Sequence, residues 1–187
     1  MIQIKNAAEL QKMRKACAIS AAALKAGGEA IEPGITTAEI DKIIYDFIVR
    51  HGARPNFLHL YGFPATACIS VNDTVIHGIP NKQQQIRPGD IVSIDTGCKI
   101  DGFNGDNACT YACGKIDLEA QRLLDVTKES LHRGIEMACG GNRVGDIGHA
   151  VQSYVEENGF SVVRTFVGHG VGKELHEDPE VPNSVTG

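Results

Sequence analysis

Hydrophobic positions along the chain alternate between helical and strand spacing. Leu10, Met13, Cys17 and Leu24 follow helical periodicity behind Asn6 and Glu9, which are placed as a capping box, and Gly27-Gly28 weakens the far end. Pro33-Gly34 breaks the chain. Thr36 with Glu39 starts a second helix, whose stripe Ile40, Ile43, Ile44, Phe47 and Ile48 stops at Gly52. Residues 53–67 are turn-rich and aromatic. Cys68 to Val71 and Thr74 to Ile79 read as short strands split by Asn72-Asp73, and Pro80 to Gln85 as a polar loop. After a turn at Arg87 to Asp90 the chain enters a strand-like stretch from Ile91 to Tyr111. Asp117 opens a long helix through Leu123, Leu124, Val126, Leu131 and Ile135 to Gly140-Gly141. A further helix runs from about Val144 through Ile147, Val151, Tyr154 and Val155 to Gly159. Ser161 to Val167 is expected to be a strand leading into the sequence GHGVG.

The stretch from Ile91 to Tyr111 organises the rest. Asp101-Gly102 tolerates the positive φ that a tight hairpin turn needs at both positions. Placing the turn there sets Asp95 opposite Ala108 and Gly97 opposite Asp106, so the two carboxylates become diagonal neighbours, roughly 7–8 Å apart at Cα. Ser93 and Asn104 share their face. Val92, Ile94, Cys98, Phe103, Cys109 and Tyr111 make the other face apolar enough for core. Taken alone, such a pair is either ordinary solvent-facing surface or a site whose repelling charges are matched by a bound divalent cation.

The order of elements also repeats. Aligning Gly159 on Gly52 sets Ile147 on Ile40, Tyr154 on Phe47, Val155 on Ile48, Asp146 on Glu39 and Leu131 on Leu24. This pattern suggests a duplicated domain, with halves of about 1–111 and 112–187 and a site between them. It also sets the counterpart of Asp95 beyond Gly187, so the chain, ending in a loop at Ser184 to Gly187, reads as truncated relative to its own symmetry.

Composition narrows the classes. Apolar and charged fractions of 42% and 22% belong to a soluble globular protein, and a net charge of −5 gives no electrostatic reason to expect nucleic acid. The N-terminus is charged before any apolar run develops, and no stretch reaches bilayer length, so neither a signal peptide nor a membrane span is expected. The 6 cysteines have no CxxC spacing and read as reduced packing residues in the cytoplasm.

Three histidines stand in positions that could carry chemistry: His77 in NDTVIHGIP, glycine-flanked His169 in GHGVG, and His176 in LHEDP. The alternating glycines around His169 do not fit a phosphate-loop pattern. Carboxylates with imidazoles suit Mn, Fe, Co or Zn better than Mg or Ca.

NDTVIHGIP, then SID and DGFNGD, then GHGVGKELHEDP, in this order, resemble type I methionine aminopeptidase from about Ile2 to the last residue. The resemblance implies the duplicated α/β pita-bread fold (the creatinase/aminopeptidase architecture), here with its second half incomplete. It implies two divalent metal ions as cofactors, with Asp95, Asp106 and His169 as ligands and Asp106 bridging. By the same resemblance His77 and His176 contact substrate and stabilise the tetrahedral intermediate, and Tyr61, Phe63 and Cys68 line the methionine pocket; plain core packing is the other reading of those three. The implied substrate is the N-terminal methionine of nascent polypeptides with a small second residue. Ribosome proximity, a cytoplasmic setting and a monomeric state when complete are also expected. The family's two further glutamate ligands would lie past Gly187, so this chain is expected to hold metal weakly, show little or no turnover, and leave apolar faces uncovered. Competing readings are an aminopeptidase P or prolidase type of the same fold, and a pita-bread module that binds without catalysis.

Overall fold

A computed structural model describes residues 1–185, so the loop reading of Thr186 and Gly187 lies outside the described residues. The chain divides into two compact units, one of Ile4–Ile116 with Val171–Leu175, the other of Met1–Gln3, Asp117–Gly170 and His176 onward.

In the first unit, α1 (Ala7–Glu29) and α2 (Thr37–Arg50) both start on the expected capping boxes. Asn6 Oδ1 accepts from Glu9 N at 3.0 Å, and Thr36 Oγ1 accepts from Glu39 N at 3.2 Å. Each bond satisfies a backbone donor that the first helical turn leaves without a partner. Thr36→Ala should therefore cost about 1 kcal/mol, read as a lower denaturation midpoint with unchanged m-value. The α2 stripe buries Ile40, Ile44 and Ile48 completely, against Ala23, Leu24, Ile69, Val92, Ile94 and Cys98. Burying each such isoleucine contributes about 2 kcal/mol before chain entropy is counted.

The expected weakening at Gly27-Gly28 does not occur, because these glycines are seats for neighbours. A Cβ on Gly28 would lie 2.2 Å from the Tyr111 ring, and one on Gly27 would lie 2.7 Å from Ile44. The packing gained there outweighs the low helix propensity of glycine.

The sheet is antiparallel. β3 (Ile91–Ile100) pairs along its length with β4 (Phe103–Ala112), and with β2 (Ala67–Val71) and the short β1 (Arg54–Pro55). The hairpin register is the expected one, with Asp95 opposite Ala108 and Gly97 opposite Asp106. Asp101 and Gly102 take φ of 52° and 85°, the left-handed conformation such a turn requires. Thr74 to Ile79 is not a strand. Positive φ at Asn72 and His77 turns the chain back, and Gly78 docks on β2, its carbonyl accepting from Ile69 N at 2.8 Å.

The second unit holds α3 (Leu118–Met137), capped by Asp117, and α4 (Val144–Glu157), packed on Val126, Val151 and Val155. Its strands are β5 (Gly168–Gly170) and β6 (Glu177–Val181), paired antiparallel. Ser161 to Val167 is not a strand; the ladder begins only at Gly168. Leu118, Leu131 and Ile135 of α3 are exposed.

The internal packing of the two units repeats. In one, Gly27 sits 2.7 Å from Ile44 and 3.5 Å from Ile40, measured to a built Cβ; in the other, Gly134 sits 2.9 Å from Val151 and 3.5 Å from Ile147. Under the Gly52–Gly159 alignment these are the same three positions. The two stop glycines have φ of 74° and 78°.

Candidate metal and substrate site

The carboxylate pair is built by register. One face of β3 is fully buried through Val92, Ile94, Thr96 and Cys98, which turns Ser93, Asp95 and Gly97 to the other. On β4, Asn104, Asp106, Ala108 and Thr110 share that second face, where Ser93 and Thr110 bond through their hydroxyls at 2.8 Å. β2 adds Cys68, directly across from Asp95.

Burial pushes the Asp95 carboxyl up to about 7, reinforced by the Asp106 charge and a hydrogen bond between the two side chains. The Cys68 thiol is pushed up to about 12, first by burial and then by Asp95, Asp106 and Asp41, so it stays neutral. The site thus combines one carboxyl holding a proton, a partner carboxylate and a neutral thiol.

Two consequences follow for pH. Asp95 titrates above its ordinary 3.8, so the metal-free fold binds this proton more tightly than the unfolded chain does. Its contribution to stability is therefore present below that value and lost as pH rises towards about 7. A cation entering the site must displace the same proton. Mn(II) affinity should then fall about tenfold per pH unit below that point, with proton release detectable by calorimetry in buffers of different ionisation enthalpy.

His77 precedes Gly78 and has φ of 58°; the Gly78 N–H donates to Ser70 Oγ at 3.0 Å, fixing this turn on the β2 edge. Tyr61 is 93% exposed in a short 3-10 turn with φ of 49°, and Phe63 follows it half-buried. In the other unit, His169 and His176 lie with ring centroids 4.4 Å apart. His169 Nδ1 is 2.9 Å from Gly170 O, a contact in which the ring N–H donates to the carbonyl. Between the two histidines in the chain, residues 171–175 belong to the hairpin's unit. The Asn104 side chain donates to Gly172 O and Lys173 O, both at 3.0 Å, and its N–H to Gly172 O at 2.8 Å.

Among the described residues no group of three or more His, Cys, Asp or Glu is gathered closely enough to hold a metal ion. Neither Asp95 nor Asp106 lines the surface hollows of about 280 Å³ beside Arg133 and Tyr154 and about 360 Å³ at the hairpin tip beside Arg54 and Lys99.

Residue pattern alone did not reveal Asp41 or Asn56. Asp41 accepts from Thr66 N and Ala67 N at 2.9 and 2.8 Å, holding the start of the strand that carries Cys68, and burial raises its pKa despite those bonds. A carboxylate at the edge of an otherwise apolar helical stripe was the available signal.

Residues 11–187 match the model of metallopeptidase family M24. The chain is 53% identical to a methionine aminopeptidase of Clostridium perfringens over 98% of this chain and 73% of that protein. It is also similar to the crystal structure of methionine aminopeptidase from Thermotoga maritima, with a TM-score of 0.97 and 41% identity, covering 100% of this chain and 75% of that one. A prolidase from Pyrococcus furiosus aligns with a TM-score of 0.84 at 24% identity over 96% of this chain and 52% of that one, a likeness of fold alone. Fold and family match together define a metallopeptidase of pita-bread architecture. The chain belongs to metallopeptidase family M24, among its methionine aminopeptidases.

Proposed function

We propose that this chain removes the initiator methionine from nascent polypeptides with a small second residue, using two divalent ions (Co, Mn, Fe or Zn) at Asp95, Asp106 and His169. The observation that carries this reading is the half-buried, register-locked carboxylate pair with Asp95 raised to about 7. Two adjacent carboxylates on one sheet face favour a positive charge between them, and the imidazole of His169 is a ligand type that suits the same ions. Divalent ions held there supply Lewis-acid chemistry, polarising the scissile carbonyl and easing deprotonation of the attacking water.

The chain's own residues do the rest. Asp95 and Asp106 would hold the ions, Asp95 giving up its proton on loading. His176 donates to the oxygen that becomes negative during attack, a contact often worth a few kcal/mol. His77 holds the amide of the departing chain. Cys68, kept neutral beside the acids, offers a polarisable wall to the methionine thioether, with Phe63 and Tyr61 completing the pocket. We place this activity in the cytoplasm, on chains emerging from the ribosome, and in a monomer. No helix among the described residues is long and apolar enough to cross a membrane.

The Mn(II)-loaded chain should bind Met-Ala-Ser in preference to Met-Lys-Ser and to Ala-Pro-Ala, and any free amino acid released should be methionine. Preference for the proline peptide would move the chain to the prolidase reading.

A further inference from the structure

Just after β1, Asn56 runs its backbone along β3, its N–H donating to Gly97 O at 3.3 Å. Its side chain then folds over Gly97. A Cβ built on Gly97 would lie 2.5 Å from Asn56 Oδ1 and 2.8 Å from Nδ2, so the carboxamide occupies the space a side chain would take. That space is on the acid face: Gly97 stands opposite Asp106 and two residues from Asp95. The Nδ2 group is committed, donating to Asn104 Oδ1 at 3.3 Å and Gly105 O at 3.4 Å. These contacts orient the amide so that Oδ1 is buried without a hydrogen-bond partner. A buried carbonyl left unpaired is destabilising, and a ligand that donates to it removes that cost.

We propose that Asn56 Oδ1 is a third acceptor of the Asp95–Asp106 site and contacts the positively charged donor that binds there. Once the Asp95 proton is displaced, two carboxylates and an amide oxygen are all acceptors, so the ligand must bring N–H or O–H groups with positive charge. A hydrated divalent cation and the α-ammonium of a peptide both qualify. This inference rests on the metal and substrate reading above.

Calorimetry on the whole chain separates the sources. Wild type and Asn56→Leu, which keeps the γ-branched shape and removes the amide, are titrated with Mn(II), and the Mn(II)-loaded proteins with methioninamide. A cation hydrate at Oδ1 raises the Mn(II) Kd of the variant about tenfold. An α-ammonium there raises the methioninamide Kd about tenfold and leaves the Mn(II) Kd alone. Either result supports the role. Both constants staying within about twofold of wild type overturns it while leaving the metal reading standing. Absence of Mn(II) binding by wild type overturns both. Asn56→Ser, too short to reach the site, repeats the comparison should the leucine variant misfold, and melting curves of each variant separate a folding loss from a binding loss.

Discussion

Asp106→Asn should weaken Mn(II) binding by at least about 100-fold and, in the same protein stripped of metal, raise the melting temperature near pH 7.5. The two effects have opposite signs because Asp106 has opposite roles in the two states. Without a cation, its charge faces Asp95 across a half-buried sheet face and helps push that carboxyl up to about 7. Like charges this close destabilise a sheet by up to about 1 kcal/mol, more as water is excluded. Asparagine keeps the shape and removes the repulsion. With a cation present, the same substitution takes a charged ligand out of the proposed site, and the amide oxygen that replaces it carries no charge. Calorimetric titration gives the affinity, and thermal unfolding in chelator gives the stability. A variant that binds Mn(II) as wild type does would remove Asp106 from the site.

Gly78→Ala is expected to be the most damaging single-methyl change in the first unit, costing about 3 kcal/mol and weakening peptide binding with it. The added Cβ would lie 2.1 Å from Ile69 O, 2.7 Å from Ile69 C and 2.9 Å from Ser70 Cα. All three are backbone atoms of a buried strand, so no rotamer change relieves the clash. The turn must lift off β2, breaking the Ile69 N–Gly78 O and Gly78 N–Ser70 Oγ bonds and carrying His77 away. Ser70→Ala is the graded comparison: it removes one of those bonds without a clash and should cost about 1 kcal/mol. Denaturant midpoints rank the two, and the methioninamide Kd reports whether His77 moved. If Gly78→Ala is as stable as wild type, the turn is not docked as described.

How much was legible depends on what each feature needs. Capping boxes are local, three residues apart, and both began helices where expected. The Asp101-Gly102 turn is local too, and once its position is known the pleat of the sheet assigns every side chain to a face. That is why Asp95 and Asp106 could be set on one face from sequence. Thr74 to Ile79 and Ser161 to Val167 were misread for one reason: β-branched composition describes a segment that can pair, while pairing depends on an edge that distant residues provide. Gly27-Gly28 failed similarly, since a helix runs through glycines when neighbours fill the space they leave.

By itself the sequence determined the helices, the hairpin, its register and the family, because periodicity, turn chemistry and motif order reside in contiguous residues. Only the tertiary structure decided that Cys68 lies across from Asp95, that Asp41 and Asn56 serve the same sheet, and that Gly78 pins His77. Those facts join residues distant in sequence, and their energies come from burial and contact, which exist only once the chain has folded.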